Sequence, residues 1–474
     1  MQDDTISIPA ELLNCLTAEQ AWHYMIVPGK VNCKSVELFC PDSSDNEETR
    51  EELELILGKK VVLIPEDPSV INRTLSKYYL RNHQGSNSPE YLKKKDFLEE
   101  ILTRANEFGS SDVHIEISET TGCIRFRIDG RLEEKYLVNG ADYPSLVNKI
   151  KISANLDIAE KRLPQDGRIL FKTTNGNHDI RVSVLPTMFG EKIVLRLLRK
   201  SGLSIDINRV GFSDSQLAAY LEGVKKPSGI ILISGPTGSG KTTTLYATLS
   251  LLNSKNVNIL TIEDPIEYTI EGINQVQLRD NIGLSYARAL RTFLRQDPDI
   301  IMLGEIRDGE TAEMAIRASL TGHLVLSTIH TNSAWGIVTR LTDMGVPPFL
   351  IADTLNTAVA QRLVRKLCPF CRKQESFKPA GLQSAITLFR GINKHYLPVG
   401  CGECRYTGYT GRVALFEVIS IDQELRSGIR ISGTDLPASL GKGRGETLKE
   451  SAISLFSTGD TSFEEVLPLI LSDL

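Results

Sequence analysis

No run of apolar residues in this 474-residue chain approaches the roughly 20 that a membrane-spanning helix needs, so no span is expected. The opening residues Met1, Gln2, Asp3 and Asp4 lack the basic and apolar stretches of a secretory leader. Excess positive charge is missing too. Lys and Arg total 54 against 59 Asp and Glu, a formal net charge of −5, and aromatic residues are 6% of the chain. A protein that grips nucleic acid through basic and aromatic surface is therefore disfavoured, and no direct nucleic-acid partner is expected. There is no long internal repeat and no low-complexity tract. These absences describe a cytosolic protein, or one held at a membrane by partners. In a chain without a leader, the eight cysteines point to metal binding or free thiols rather than to disulfides.

What is present divides into two to four domains on length alone. Residues 1–80 have helical apolar spacing at Leu12, Leu13, Leu16 and Ala21, a short apolar strand at Val61–Ile64, and an acidic stretch from Asp42 to Glu54 that reads as a solvated face. Residues 81–94 read as a linker, because Arg81 to Pro89 is rich in turn formers. A helix follows from Asp96 to Phe108, then alternating strands at Asp112–Glu116, Cys123–Ile128 and Ile180–Val184. They predict an α+β second domain over 95–200. From about 205 to 474 strands and helices alternate as in a nucleotide-binding α/β domain, with a helical part over 415–474.

The most telling segment opens that domain. An apolar strand from Gly229 runs into Gly235, Pro236, Thr237, Gly238, Ser239, Gly240, Lys241, Thr242 and Thr243, a complete G-x-x-x-x-G-K-[ST] phosphate loop. Glycines let backbone N–H groups close around phosphates, Lys241 supplies a cation, Thr242 offers a hydroxyl to Mg²⁺, and the following helix points its N-terminus at the anion. The expected ligands are ATP and Mg²⁺.

Three further strands suit one parallel sheet. Val257–Ile262 leads to Glu263, Asp264 and Glu267, and Pro298–Leu303 leads to Gly304, Glu305, Arg307 and Asp308. Only one carboxylate follows the second strand, so Glu263 and Asp264 are the expected source of another beside Mg²⁺ at the ligand-binding end of the sheet. The third strand lies between His323 and His330, the latter followed by Thr331 and Asn332 where a γ-phosphate sensor sits.

Cys368, Cys371, Cys401 and Cys404 form two C-x-x-C pairs 29 residues apart, positions 372 to 400. They predict a closed four-thiolate structural Zn²⁺ site, within a module over 366–406. Cys15, Cys33, Cys40 and Cys123 show no such pairing and read as small buried hydrophobes. Arg181, Arg196, Arg291 and Arg295 lie on elements able to face a phosphate from another domain or subunit, a task the rigid guanidinium fork suits.

Taken together these motifs resemble the secretion ATPases that drive type II secretion and type IV pilus assembly. The resemblance runs from about residue 95 to the C-terminus. It rests on Ser111–Glu116, Arg127–Gly130, Asp157–Arg168 and Gly190–Arg196, then on the phosphate loop, Thr261–Tyr268, Gly304–Asp308 and Thr321–Asn332, and finally on Gly408–Arg412 and Gly459–Glu465. Residues 1–80 look, more weakly, like the recruitment domain of type II secretion members, which favours the secretion motor over the pilus motor.

This resemblance implies a RecA-like P-loop motor domain, preceded by a PAS-like α+β domain and a small N-terminal domain. It further implies a homo-hexamer working at the inner membrane through the cytoplasmic domain of a secretion or pilus platform protein. Glu305 would then orient the attacking water, with Glu267 second in line for that role and His330 beside them. Arg181 and Arg196 would reach the γ-phosphate, and Arg291 and Arg295 would act between subunits. A nucleotide-binding scaffold without turnover is the contrasting reading, disfavoured by intact Lys241, Thr242 and Glu305.

Overall fold

Long apolar runs and alternating runs sort into different sheets in the computed structural model. It describes residues 6 to 471 apart from 7, 9–11, 13–15, 17, 32–34, 42–46, 58, 69, 72–73, 76–89, 92–96, 174–175, 199–205, 378–385, 390 and 433–444. Among the described residues no helix is long and apolar enough to cross a membrane.

The N-terminal unit is a sheet of β1 (Val27–Val31), β2 (Ser35–Pro41) and β3 (Lys60–Glu66) in that order. Strand β2 pairs antiparallel to β1 and parallel to β3. A parallel neighbour needs a crossover, and the helix Glu47–Leu57 supplies it. Leu16, Ala21, Ile26, Val36, Leu38 and Leu53 fill its core. The expected helix is confined to Ala18–His23, and Leu13, Cys15 and Cys33 lie outside the described residues, as does the stretch 81–89.

The second unit is a seven-stranded sheet built from β4 (Glu90–Tyr91), β5 (Asp112–Ile117), β6 (Thr121–Ile128), β7 (Arg131–Asn139), β8 (Gln165–Thr173), β9 (Gly176–Thr187) and β10 (Gly190–Leu198). Its order is β4-β7-β6-β5-β10-β9-β8, and β4 adds a parallel edge strand where the sequence reads as linker. Along β6 Ile124 and Phe126 are buried under the helices Phe97–Glu107 and Tyr143–Ser153, while Arg125 and Arg127 face outward. Cys123 shares that outer face and is half-buried, not a core residue; burial, reinforced by Glu134, pushes its thiol up to about 12. Cys40 is fully buried, as expected.

The third unit carries a second seven-stranded sheet. Its strands are β11 (Gly229–Ser234), β12 (Ile259–Glu263), β13 (Asn274–Gln277), β14 (Ile300–Leu303), β15 (Leu324–Ile329) and β16 (Leu355–Leu367). After a hairpin of β17 (Lys373–Ser376) and β18 (Lys394–Leu397) comes β19 (Tyr409–Ser420). The order is β13-β12-β14-β15-β11-β16-β19, parallel except for β19. Strands β11, β14 and β15 are buried throughout, because helices cover both faces of a parallel sheet. The C-terminal helical part starts later than expected, since residues 409–420 pair with β16 and helix resumes only at Gln423.

The second and third units touch at several points. Asp129 (φ +46°) and Gly130 (φ +91°) make the left-handed turn between β6 and β7, and Asp129 Oδ2 accepts the Gly411 N–H at 3.0 Å. Arg131 reaches Glu465 Oε1 at 3.0 Å. Arg405, next to Cys404, lies over the Phe108 ring at 4.5 Å.

Candidate active site

The parallel register brings the C-terminal ends of β12, β14, β15 and β11 to one edge, in that spatial order. From that edge emerge Asp264, Glu305, His330 and the phosphate loop. The loop itself depends on glycine: Gly235, Gly238 and Gly240 all have positive φ, and a Cβ on Gly235 would lie 2.5 Å from the Gln361 carbonyl oxygen. Gly240 ends the loop in the left-handed region, immediately before the helix Lys241–Leu252. Pro236, Thr237, Gly238, Thr242 and Thr243 are exposed. Ser239 is 3% exposed, and its buried hydroxyl has no hydrogen-bond partner among the described residues. A cradle of helix N-terminus, glycine backbone and orphaned hydroxyl fits a triphosphate.

Lys241 Nζ donates to the Gly235 and Pro236 carbonyl oxygens at 2.8 and 3.1 Å. Burial pushes its ammonium pKa down, opposed by Glu305 and aided by Arg362. Glu305 is the focus of the cluster: Arg307 donates to Oε1, and His330 Nε2 lies 3.4 Å from Oε2. Burial alone would raise the Glu305 pKa, but Arg307, His330 and Lys241 outweigh it and hold the group below its ordinary value. Arg307 also reaches Asp264 Oδ2 at 3.6 Å, so one guanidinium spans both carboxylates. His323, at the other end of β15, hydrogen-bonds Ala318 O and Thr321 Oγ1 and stands apart from the site.

Glu263 departs from the sequence expectation. Strand β12 continues through it, and its side chain is packed inside the domain, 3% exposed, instead of emerging at the open edge. Its carboxyl group accepts from Tyr246, Thr261 and Gln275. Thr242 and Asp264 remain the side chains of suitable chemistry for Mg²⁺.

From the second unit Arg181 Nη2 donates to the Ile266 carbonyl oxygen at 2.9 Å. Burial, countered by Glu267, leaves its guanidinium pKa lowered. Arg196 is the cross-strand neighbour of Arg181 and is anchored through Nε to Asp112 Oδ1 at 3.0 Å. Arg291 pairs with Glu310 at 2.5 Å from the last turn of the helix Tyr286–Phe293, and Arg295, exposed in the turn just past that helix, donates to the Arg291 carbonyl at 2.8 Å. Sequence reasoning passed over Tyr246, Gln275 and Arg362, and it named Arg307 without giving it a role. Arg362 donates to Gln361 O and Asn332 O at 3.1 and 3.0 Å, beside the mouth of the loop.

The four paired cysteines converge: their sulfurs all lie within 4.8 Å of one another. Cys368–Cys401, Cys371–Cys404 and Cys401–Cys404 are 3.8, 3.7 and 3.7 Å apart. A tetrahedron of thiolates at ~2.3 Å from zinc has edges of about 3.8 Å. Backbone N–H groups of Gly400, Cys401 and Gly408 point at Cys371 and Cys404 sulfurs at 3.2, 3.1 and 3.3 Å, as thiolate ligands require.

Residues 90–468 match the family described as Type II/IV secretion system protein, and residues 1–85 match the MshEN domain. The chain is 47% identical over 368 residues to the putative type II secretion system protein E of Escherichia coli K12, covering 77% of this chain and 75% of that protein. It is also 47% identical over 376 residues to the type IV pilus assembly ATPase PilB of Myxococcus xanthus, covering 77% and 66%. In fold it is similar to the Legionella pneumophila ATPase DotB, at TM-score 0.60 and 22% identity over 81% of this chain and 97% of that one. The pilus retraction motor PilT with bound ADP gives TM-score 0.53 and 26% identity over 78% and 96%. The chain belongs to the type II/IV secretion system protein family, and it is an ATPase.

Proposed function

We propose that the chain is the motor of a type II secretion system, hydrolysing ATP to drive assembly of a pseudopilus through which proteins are exported. It works as a homo-hexamer, held at the cytoplasmic face of the inner membrane by the cytoplasmic domain of a platform protein. The observation that carries this reading is the convergence of the phosphate loop, the Glu305–His330 pair and Arg181 from the preceding domain on one edge of the sheet. Type IV pilus assembly is the second reading, favoured by the similarity to PilB.

In this reading ATP binds with its phosphates in the loop, where Lys241 and the backbone N–H groups counter their charge. Thr242 and Asp264 would hold Mg²⁺, which would supply positive charge against the phosphates during transfer. Glu305 orients the attacking water, held by Arg307 and by His330. Glu267 is the alternative for that role. Arg181 and Arg196 stabilise the γ-phosphate as the second domain closes, and that closure is the mechanical stroke. Arg291 and Arg295 serve the neighbouring subunit. The cysteine module takes one Zn²⁺ and fixes the excursion that ends at Arg405.

The test is the ATPase rate of the full chain with and without the cytoplasmic domain of the secretion platform protein or its pilus counterpart. Stimulation by the secretion partner alone supports the first reading. Stimulation by the pilus partner alone replaces it with the second. A chain beginning at Tyr91 should keep nucleotide binding yet lose membrane association, and persistent membrane fractionation would move recruitment away from the N-terminal unit.

A further inference from the structure

The helix that follows the phosphate loop and the turn that follows β12 are joined through side chains that the hydrolysis scheme leaves without a role. Glu263 closes β12 with its carboxyl group buried and supplied by three donors: the Tyr246 hydroxyl, the Thr261 hydroxyl at 2.6 Å and the Gln275 amide at 3.1 Å. The Tyr246 hydroxyl in turn accepts the backbone N–H of Glu267 at 3.3 Å. Gln275 donates to the Tyr268 carbonyl at 3.1 Å and accepts the Ile270 N–H at 2.8 Å. The rings of Tyr246 and Tyr268 meet edge to face, 4.6 Å between centroids.

From the Tyr246 and Gln275 that hold the Glu263 carboxyl group, four contacts land on residues 267–270, in the turn after Asp264 and Pro265. The Glu267 bond and the Tyr268 ring contact end on Tyr246, which rides on the same helix as Lys241 and Thr242 and is fully buried. The Tyr268 and Ile270 bonds end on Gln275 of β13, which shares the Glu263 carboxyl group with Tyr246. The turn also presents the Ile266 carbonyl, which takes Arg181 Nη2 at 2.9 Å. A helix is stiff over the roughly 7 Å between its first turn and Tyr246, so a displacement at the loop arrives at the turn undiminished.

We infer that Glu263 is a positioning residue and not a metal ligand: with Tyr246 and Gln275 it forms a buried latch that ties the 264–270 turn to the phosphate-loop helix. The latch sets the orientation of Glu267 and of the carbonyl that receives Arg181 from the helix that carries Lys241 and Thr242. It rests on the reading that ATP is hydrolysed between these elements. Glu263→Gln replaces an acceptor with an amide facing donors, and Tyr246→Phe deletes the shared hydroxyl; each leaves a buried polar group without its partner.

The test uses the full chain, wild type, Tyr246→Phe, Glu263→Gln and the double variant. In nucleotide-free protein, backbone amides over 264–270 should exchange about tenfold faster in either single variant, with distant segments unchanged. Turnover should fall by ~10- to 100-fold, with KM for ATP and the Mg²⁺ half-saturation each within about threefold of wild type, because misplacement and not binding is at stake. The double variant should be no worse than the poorer single by more than about twofold, as expected of residues acting as one unit.

An Mg²⁺ half-saturation raised about tenfold in Glu263→Gln alone overturns the inference in favour of a metal ligand. So does wild-type turnover and exchange in Tyr246→Phe, which removes one oxygen atom and decides the matter should Glu263→Gln fail to fold. The reading beneath is separable. If Glu305→Gln still hydrolyses ATP, the scheme for hydrolysis fails, while the exchange measurement continues to report on the latch.

Discussion

Glu305 and His330 leave the ends of two adjacent parallel strands and meet with His330 Nε2 3.4 Å from Glu305 Oε2. In the proposed scheme this carboxylate and imidazole are the pair that faces the γ-phosphate and its attacking water. Glu305→Gln is expected to bind ATP normally and to lose turnover by ~10²-fold or more, since only water positioning is removed. Lys241→Ala should instead weaken triphosphate binding itself. Equilibrium binding and steady-state turnover on the same preparations separate the two, and a Glu305→Gln protein with wild-type turnover would remove Glu305 from the mechanism.

Arg307 sets the pH response of that carboxylate. Burial raises the Glu305 pKa, but Arg307, His330 and Lys241 bring it below the ordinary value of 4.5. A depressed pKa keeps the charged form through neutral pH and loses it only as pH falls through the lowered value. Arg307→Ala should therefore move the acidic limb of kcat/KM upward. A profile from pH 4 to 8 with an unmoved limb would show that this limb belongs to another group.

For the cysteine cluster, purified protein should contain one zinc per chain, and Cys401→Ser should reduce it at least about tenfold. Because Arg405 sits beside Cys404 and stacks on Phe108, the same variant should also loosen the contact with the second unit. Metal analysis and limited proteolysis after Phe108 read the two effects. Four freely reactive thiols in metal-free native protein would contradict the zinc assignment.

Glu465 is 13% exposed and accepts from Arg365 Nη2, Nε and backbone N–H at 2.9, 3.1 and 2.9 Å, and Arg365 is 11% exposed over the Tyr409 ring. Glu465→Ala strands a buried guanidinium and should cost about 3 kcal/mol of stability. Arg131 also pairs with Glu465 but is 56% exposed, so Arg131→Ala should cost about 0.5 kcal/mol. Denaturant unfolding measures both. Equal costs would mean that the contact between units, and not the buried pair, dominates.

The phosphate loop, the strands on either side of it and the two C-x-x-C pairs were legible in the chain because each is local. Apolar runs such as Gly229–Ser234 and Leu324–Ile329 became buried strands, and the glycines of the loop serve dihedrals that no other residue tolerates. In the second unit β7, β8 and β10 went unread. Charged residues at buried positions, Lys135 in β7 and Glu191 in β10, interrupt the apolar alternation. Glu263 was misdirected because it closes β12 and its carboxyl group is taken up by Tyr246, Thr261 and Gln275, partners that the local sequence does not show.

By itself the sequence determined the chemistry on offer: a triphosphate cradle, a carboxylate after β14, a histidine after β15 and a set of four thiols. Those depend on neighbours in the chain and on backbone propensity. Only the tertiary structure decided which groups meet, because pairings such as Arg181 with Ile266 and Arg131 with Glu465 span 85 and 334 residues and leave no periodic trace. It also decided that Glu263 looks inward to Tyr246 while Glu305 looks outward to His330. That distinction lies in where each strand ends within the parallel register, which a string of apolar residues does not record.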